Sequence, residues 1–254
     1  MSLKRKVVLI TGAGGGIGLA IVERLSREGS IIIASDLNLE VLQDAIAIAH
    51  KHNATLYPLV ADLSVKSDCD QLPQRAYDIN HSLDVLINNA GLMRRGNILE
   101  TSDEDWALSM GVNVEAIFRL CRSTVGIMKN QGHGTIVNTA SCWGIYPGPD
   151  HFVYCTTKAA VAAMTRCLGR DHAPDGIRVN AVCPNEVNTP MLRTGFEVRG
   201  FDPNEAIEEL NKSVPIGHIA EPAEIADVIA FLASDESRYM CGALLEVNGG
   251  KPVY

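Results

Sequence analysis

Short β-branched apolar runs alternate with longer amphipathic stretches along the whole chain. The apolar runs fall at 6–11, 30–35, 54–61, 83–88, 134–139, 177–182 and 243–247. They lack polar alternation, which is the pattern of strands covered on both faces and hence of a parallel sheet. Between them the spacing predicts helices. Ile17, Ala20, Ile21 and Leu25 share one face, and Gly29 closes that helix. Residues 37–49 also read as helical. Asp103, Glu104 and Asp105 place acid at a helix start, where the dipole favours it. Pro222 opens a further helix over 223–233. Alternating strand and helix throughout predicts the α/β class, with one doubly wound domain over 1–254.

Composition narrows the class of partner. The 22 Lys and Arg against 30 Asp and Glu give a net charge of −8, which argues against nucleic acid or an anionic membrane as the main partner. Lys4, Arg5 and Lys6 precede only a short apolar stretch, too short for a signal peptide. No run of about 18 apolar residues exists to span a membrane. Seven cysteines are an odd number, form no CxxC and have no His at zinc spacing. They are expected to be small core residues in a reducing compartment, so a cytoplasmic protein is expected. The seven His, including His50 and His52, show no grouping with carboxylates, and no metal site is expected.

The candidate chemistry begins in the loop from Thr11 to Gly18, between the first strand and the first helix. Glycine there permits a tight turn and close approach to a pyrophosphate, and the helix start offers free N–H groups. The alternative for that segment is a plain glycine-rich turn, which its place after a buried strand and before an amphipathic helix disfavours. Asp36 ends the second strand, where a carboxylate can accept both ribose hydroxyls of an adenosine and repels a 2′-phosphate. No Arg or Lys lies in the glycine loop or beside Asp36. These residues point to NAD rather than NADP; the other role for Asp36 is capping the helix over 37–49. Tyr154 and Lys158, four apart, share a helix face. A nearby ammonium lowers a phenol's pKa and makes it a proton carrier near neutral pH. Ser141 follows the fifth strand, at the end where parallel sheets bind ligands.

In this order the motifs resemble those of the short-chain dehydrogenase/reductase family, over essentially the whole chain. Thr11–Gly18 resembles its TGxxxGIG loop, with Gly12, Gly14, Gly16, Ile17 and Gly18 as cofactor contacts. Asp62 and Leu63 resemble its adenine-contacting pair, and Asn88, Asn89, Ala90 and Gly91 its NNAG segment. Asn113, Ser141, Tyr154 and Lys158 match its catalytic residues. The segment from Pro184 to Thr189 resembles its nicotinamide clamp, with Val187 and Thr189 as contacts. The resemblance implies a Rossmann-like fold and reversible hydride transfer between NAD and a secondary alcohol or ketone. Tyr154 would exchange the proton and Ser141 polarise the substrate oxygen. Lys158 would hold the nicotinamide ribose and depress the tyrosine pKa, and Asn113 would hold a water. It also implies a homo-oligomer, a tetramer or dimer.

One position departs from the family pattern: Asn185 stands where a glycine is usual. Asn185 either keeps a left-handed backbone shape or sends its amide into the substrate pocket. By resemblance that pocket involves Trp143, Tyr146, His151, Asn185, Glu186 and a lid over about 189–215. Arg193 and Arg199 sit in the lid, and Arg94 and Arg95 follow the NNAG segment. They are either solvated surface charges or recognise a carboxylate, sulfonate or phosphate on the substrate. Enzymatic and non-enzymatic alternatives are a 3-oxoacyl-thioester reductase, which usually uses NADPH, and a silent NAD-binding sensor.

Overall fold

The computed structural model describes residues 3–251. Seven parallel strands form one sheet in the order β3-β2-β1-β4-β5-β6-β7. They are β1 (Val7–Thr11), β2 (Ile31–Asp36), β3 (Thr55–Val60), β4 (Val85–Asn88), β5 (Gly134–Thr139), β6 (Ile177–Pro184) and β7 (Leu244–Val247). The chain runs outward from β1 to β3, then crosses back to lay β4 against the other side of β1. That reversal opens a crevice at the carboxyl ends of β1 and β4, the place where such sheets take ligands.

Apolar residues on the two faces of each strand feed two separate cores. Val8 and Ile10 of β1 pack with helices α1 (Gly16–Glu28), α2 (Gln43–Lys51) and α9 (Pro222–Ala233). Val7 and Leu9 pack on the opposite side with α3 (Lys66–Asn80), α5 (Ala116–Gln131) and α6 (Phe152–His172). The central strands β1, β4 and β5 are buried on both faces, as their unbroken apolar runs predict. Strand β3 is different. It is the sheet edge, carries Pro58, and leaves Tyr57 and Val60 exposed, because an edge strand has one open side and tolerates a missing donor.

Two helix starts show local sequence at work. Ser102 caps α4 (Asp103–Met110) by accepting from the Asp105 N–H, ahead of three acids. Glu221 and Glu224 form a reciprocal capping box at α9. The helix expected from residue 37 begins only at Gln43. Residues 37–42 instead form turns that carry the Val41 carbonyl against Gly14, so tertiary contact with the glycine loop overrides helical propensity. The stretch expected as a lid folds as α7 (Pro190–Glu197) and α8 (Pro203–Ser213), around a small core of Phe196, Ile207, Val214 and Ile219. Among the described residues no helix is long and apolar enough to cross a membrane.

Candidate active site

A cavity of about 760 Å³ lies over the carboxyl ends of the strands. At one end the glycine loop joins β1 to α1. Gly12 has φ of +63°, and a Cβ there would lie 2.8 Å from the Ala90 Cα. Gly14 is filled against Val41, and Gly18 against the Gly12 carbonyl. Gly14 and Gly18 are therefore packing positions, while Gly12, Gly16 and Ile17 line the cavity. Gly15 caps α1 without any side chain on the first-turn N–H groups. The Gly18 N–H donates to the Gly15 carbonyl at 2.8 Å, which leaves the Gly16 and Ile17 N–H groups to an anion at the helix start.

Asp36 lines the same end. Its Oδ2 accepts from the Gly14 N–H at 3.0 Å and its Oδ1 from the Leu37 N–H at 2.8 Å. Each carboxylate oxygen keeps a further lone pair. Asp36 is not the cap of α2, which starts seven residues later. Asp62 and Leu63, after β3, line the cavity too, with Asp62 held by the Ser64 N–H and hydroxyl.

Thr11 was not expected as a contact residue, yet it ties the two halves together. Its hydroxyl accepts from the backbone N–H groups of Asn89 and Ala90, both at 3.2 Å. The Asn89 amide returns to the Thr11 and Gly12 carbonyls. These bonds hold the loop after β4, with Ala90 and Gly91, against the glycine loop.

Ser141, Tyr154 and Lys158 converge on the cavity from β5 and α6. The Ser141 hydroxyl accepts from the Trp143 N–H at 3.1 Å. The Lys158 ammonium donates to the Thr139 carbonyl at 2.7 Å and stands 5.8 Å from the Tyr154 ring centre. Burial pushes the Tyr154 phenol up to about 12, and the neighbouring Ser141 hydroxyl opposes that rise. Burial also pulls Lys158 down to about 8. The tyrosine therefore moves opposite to the expected direction: desolvation by burial leads, and the Lys158 ammonium is bonded to the Thr139 carbonyl.

Lys158 carries a stability consequence. Its pKa is about 8 in the fold against an ordinary 10.5, so between those values the unfolded chain binds more protons and stability rises with pH. Below about pH 8 the burial cost is present in full. The melting-temperature difference between wild type and Lys158→Met should therefore shift in favour of wild type by ~5 °C from pH 7.5 to 10. Thermal melts across that range check it, and a flat difference would remove burial as the cause.

Asn113 sits at a π-helical turn, Gly111–Glu115, between α4 and α5. Such turns recur at functional sites. Three bonds hold its amide: Oδ1 accepts from the Leu92 N–H, and Nδ2 donates to the Leu92 carbonyl and the Thr157 hydroxyl. The side chain thus braces the loop after Gly91 against α6. Val187 and Thr189 line the cavity; Thr189 caps α7 and its methyl approaches Gly16.

Asn185 does not have a positive φ, so the left-handed reading is overturned. It extends β6, donating its N–H to the Val247 carbonyl at 3.1 Å, and it lines the cavity. Trp143, His151 and Glu186 line it as well, whereas Tyr146 does not. The cysteines beside the catalytic positions are not nucleophiles: burial pushes Cys142 up to about 12 and raises Cys155.

A family model described as enoyl-(acyl carrier protein) reductase matches residues 12–251. The 3-oxoacyl-[acyl-carrier-protein] reductase of Thermotoga maritima is 35% identical over 250 residues, 98% of this chain and 99% of that protein. The meso-2,3-butanediol dehydrogenase of Serratia marcescens is 36% identical, covering 98% of this chain and 96% of its own. The chain belongs to the short-chain dehydrogenase/reductase family. Solved structures agree. A levodione reductase superposes with a TM-score of 0.93 at 29% identity, over 97% of each chain. An NAD+-bound xylitol dehydrogenase does so at 0.92 and 31%, over 98% of this chain and 100% of that one. The protein is thus an oxidoreductase of the short-chain family, which uses a nicotinamide cofactor.

Proposed function

We propose that this protein is an NAD-dependent dehydrogenase that interconverts a secondary alcohol and its ketone. The observation that carries the choice of NAD is Asp36. Its carboxylate lines the cavity beside the glycine loop, and the cations lining the cavity, Arg95, Lys158 and Arg199, come from other segments. A 2′-phosphate placed at Asp36 would meet a like charge without a nearby guanidinium or ammonium to offset it.

The residues present fit a dinucleotide. The glycine loop leaves room for a pyrophosphate, the α1 N–H groups face it, and Asp36 has lone pairs for ribose hydroxyls. When bound, the cofactor supplies or accepts the hydride. The chain's own groups handle the proton and the geometry. Tyr154 gives a proton to the carbonyl oxygen in reduction and takes it back in oxidation. Ser141 donates to that oxygen and fixes its distance from the phenol. Lys158 holds positive charge near the tyrosine ring and would donate to the cofactor's ribose when it is bound. Asn113 keeps the loop after β4 and α6 in register.

The expected result is a preference for NAD+ over NADP+ of about 100-fold or more in kcat/KM, since juxtaposed like charges cost several kcal/mol. Steady-state kinetics with both coenzymes over a panel of secondary alcohols, sugars and hydroxy acids checks this. A clear preference for NADP+ would sink it. The Thermotoga relative keeps a second reading in view, reduction of a 3-oxoacyl thioester. Turnover of an acetoacetyl thioester with NADPH above that of every alcohol with NAD+ would favour it.

A further inference from the structure

The four arginines singled out in the sequence have different fates. Arg94 is exposed and paired with Asp105 at 2.8 Å. Arg193 is bound to two amides, Asn188 at 3.1 Å and Asn204 at 3.0 Å. Arg95 and Arg199 instead both line the active-site cavity. Among the described residues neither has a carboxylate within ion-pair distance.

The two guanidiniums meet around one residue of the lid. Arg199 donates from Nε to the Gly195 carbonyl at 2.8 Å. Arg95 reaches the same glycine, where an added Cβ would lie 2.8 Å from its Nη2. Phe196 and Phe201 hold the Arg199 guanidinium, 4.8 and 5.5 Å from their ring centres. Arg95 is half-buried, and burial followed by the Arg199 charge holds its pKa below the ordinary value. The carboxylates of the cavity lie elsewhere or are engaged: Asp36 and Asp62 serve the glycine-loop end, and Glu186 is paired with Lys251 at 2.8 Å.

His151 explains how Arg95 is aimed. Its Nδ1 bonds the Pro149 carbonyl at 2.7 Å, which makes Nδ1 the donor and leaves Nε2 to accept from Arg95 Nη1 at 2.5 Å. Burial, the leading influence, lowers the His151 pKa and keeps the ring neutral. Most of the N–H donors of Arg95 and Arg199 are left over. The Trp143 indole can only donate, so its 3.3 Å bond fixes Asn185 Oδ1 as acceptor. That leaves the buried Asn185 Nδ2 without a partner, on a residue lining the same cavity.

We infer that Arg95 and Arg199 form a subsite for an anionic group on the substrate, a carboxylate, sulfonate or phosphate. Two like charges beside one another are costly, and an anion between them removes that cost while matching their planar donor sets. The substrate class is then a hydroxy or oxo compound carrying a negative group, despite the protein's own charge of −8. This inference rests on the dehydrogenase reading above.

The test has a binding arm and a kinetic arm. NADH-loaded protein is titrated calorimetrically with sulfate and with acetate at constant ionic strength. Wild type should bind at least one, and Arg95→Gln and Arg199→Gln should each weaken it ten-fold or more. Binding of neither ion by wild type, or unaltered binding in both variants, overturns the subsite. In the kinetic arm, kcat/KM is measured for 3-hydroxybutyrate and for butane-2,3-diol. The ratio of anionic to neutral substrate should fall ten-fold or more in both variants; an unchanged ratio in both overturns the subsite. Sulfate binding through these arginines without turnover of any alcohol sinks the dehydrogenase reading instead. Good turnover of neutral alcohols with neither ion bound sinks only the subsite.

Discussion

Tyr154→Phe should lower turnover by about 10²–10⁴-fold, the range that a positioned general acid–base contributes. The phenol lies partly buried in α6 beside the Ser141 hydroxyl at the cavity wall, and burial pushes its pKa up to about 12, which keeps it protonated at neutral pH. In that form it is a ready donor to a carbonyl oxygen. Removing the hydroxyl deletes the proton carrier while leaving the ring, and so the packing, in place. NADH affinity, read by fluorescence titration, should change by no more than about two-fold, because the glycine loop and Asp36 lie at the other end of the cavity. Turnover in the variant close to that of wild type would refute the role given to Tyr154.

Gly18→Ala should be the most damaging small substitution in the cofactor end. A Cβ at Gly18 would fall within the Gly12 carbonyl and close to the Ala13 Cα, and neither is a flexible side-chain tip. Either α1 shifts away from β1 or the glycine loop changes shape. Overpacking of this kind costs about 1–3 kcal/mol, and more where backbone must move. The expected outcome is a melting temperature lower by several degrees and NADH affinity weakened by at least about ten-fold, since the shift moves the pyrophosphate donors. Gly15→Ala is the comparison. Nothing lies within 4 Å of a Cβ there, so its stability cost should not exceed about 1 kcal/mol, that of a poorer helix cap. Equal destabilisation by the two would show that the Gly12–Gly18 contact is not what selects glycine.

The parts of the site that were legible in the sequence are those built by short-range geometry. The glycine loop could be placed because a buried strand, a turn and an amphipathic helix follow one another directly. Tyr154 and Lys158 could be put on one face because helical spacing fixes it. Ser141 followed from its place after a buried strand. The parts that were not legible depend on contacts between distant segments. Residues 37–42 carry helical spacing, yet they form turns because Val41 packs on Gly14. Thr11 gave no signal of its tie to Asn89 and Ala90, which needs β4 to lie beside β1. Arg193 and Arg199 looked alike in the lid, but Arg193 lies in α7 and bonds Asn188, whereas Arg199 follows in the turn after α7 and lines the cavity.

By itself the sequence determined the strand and helix alternation, the chain order of the cofactor and proton-transfer motifs, and the presence of a carboxylate at the end of β2. These depend on periodicity and on residue chemistry within a few positions of one another. Only the tertiary structure decided that burial raises the Tyr154 phenol's pKa, because desolvation depends on everything packed around a group. It also decided which arginines line the cavity without a carboxylate partner among the described residues, Arg95 half-buried and Arg199 exposed. A charge's worth is set by its neighbours in space, and for Arg95 those neighbours, His151, Gly195 and Arg199, come from elements far along the chain.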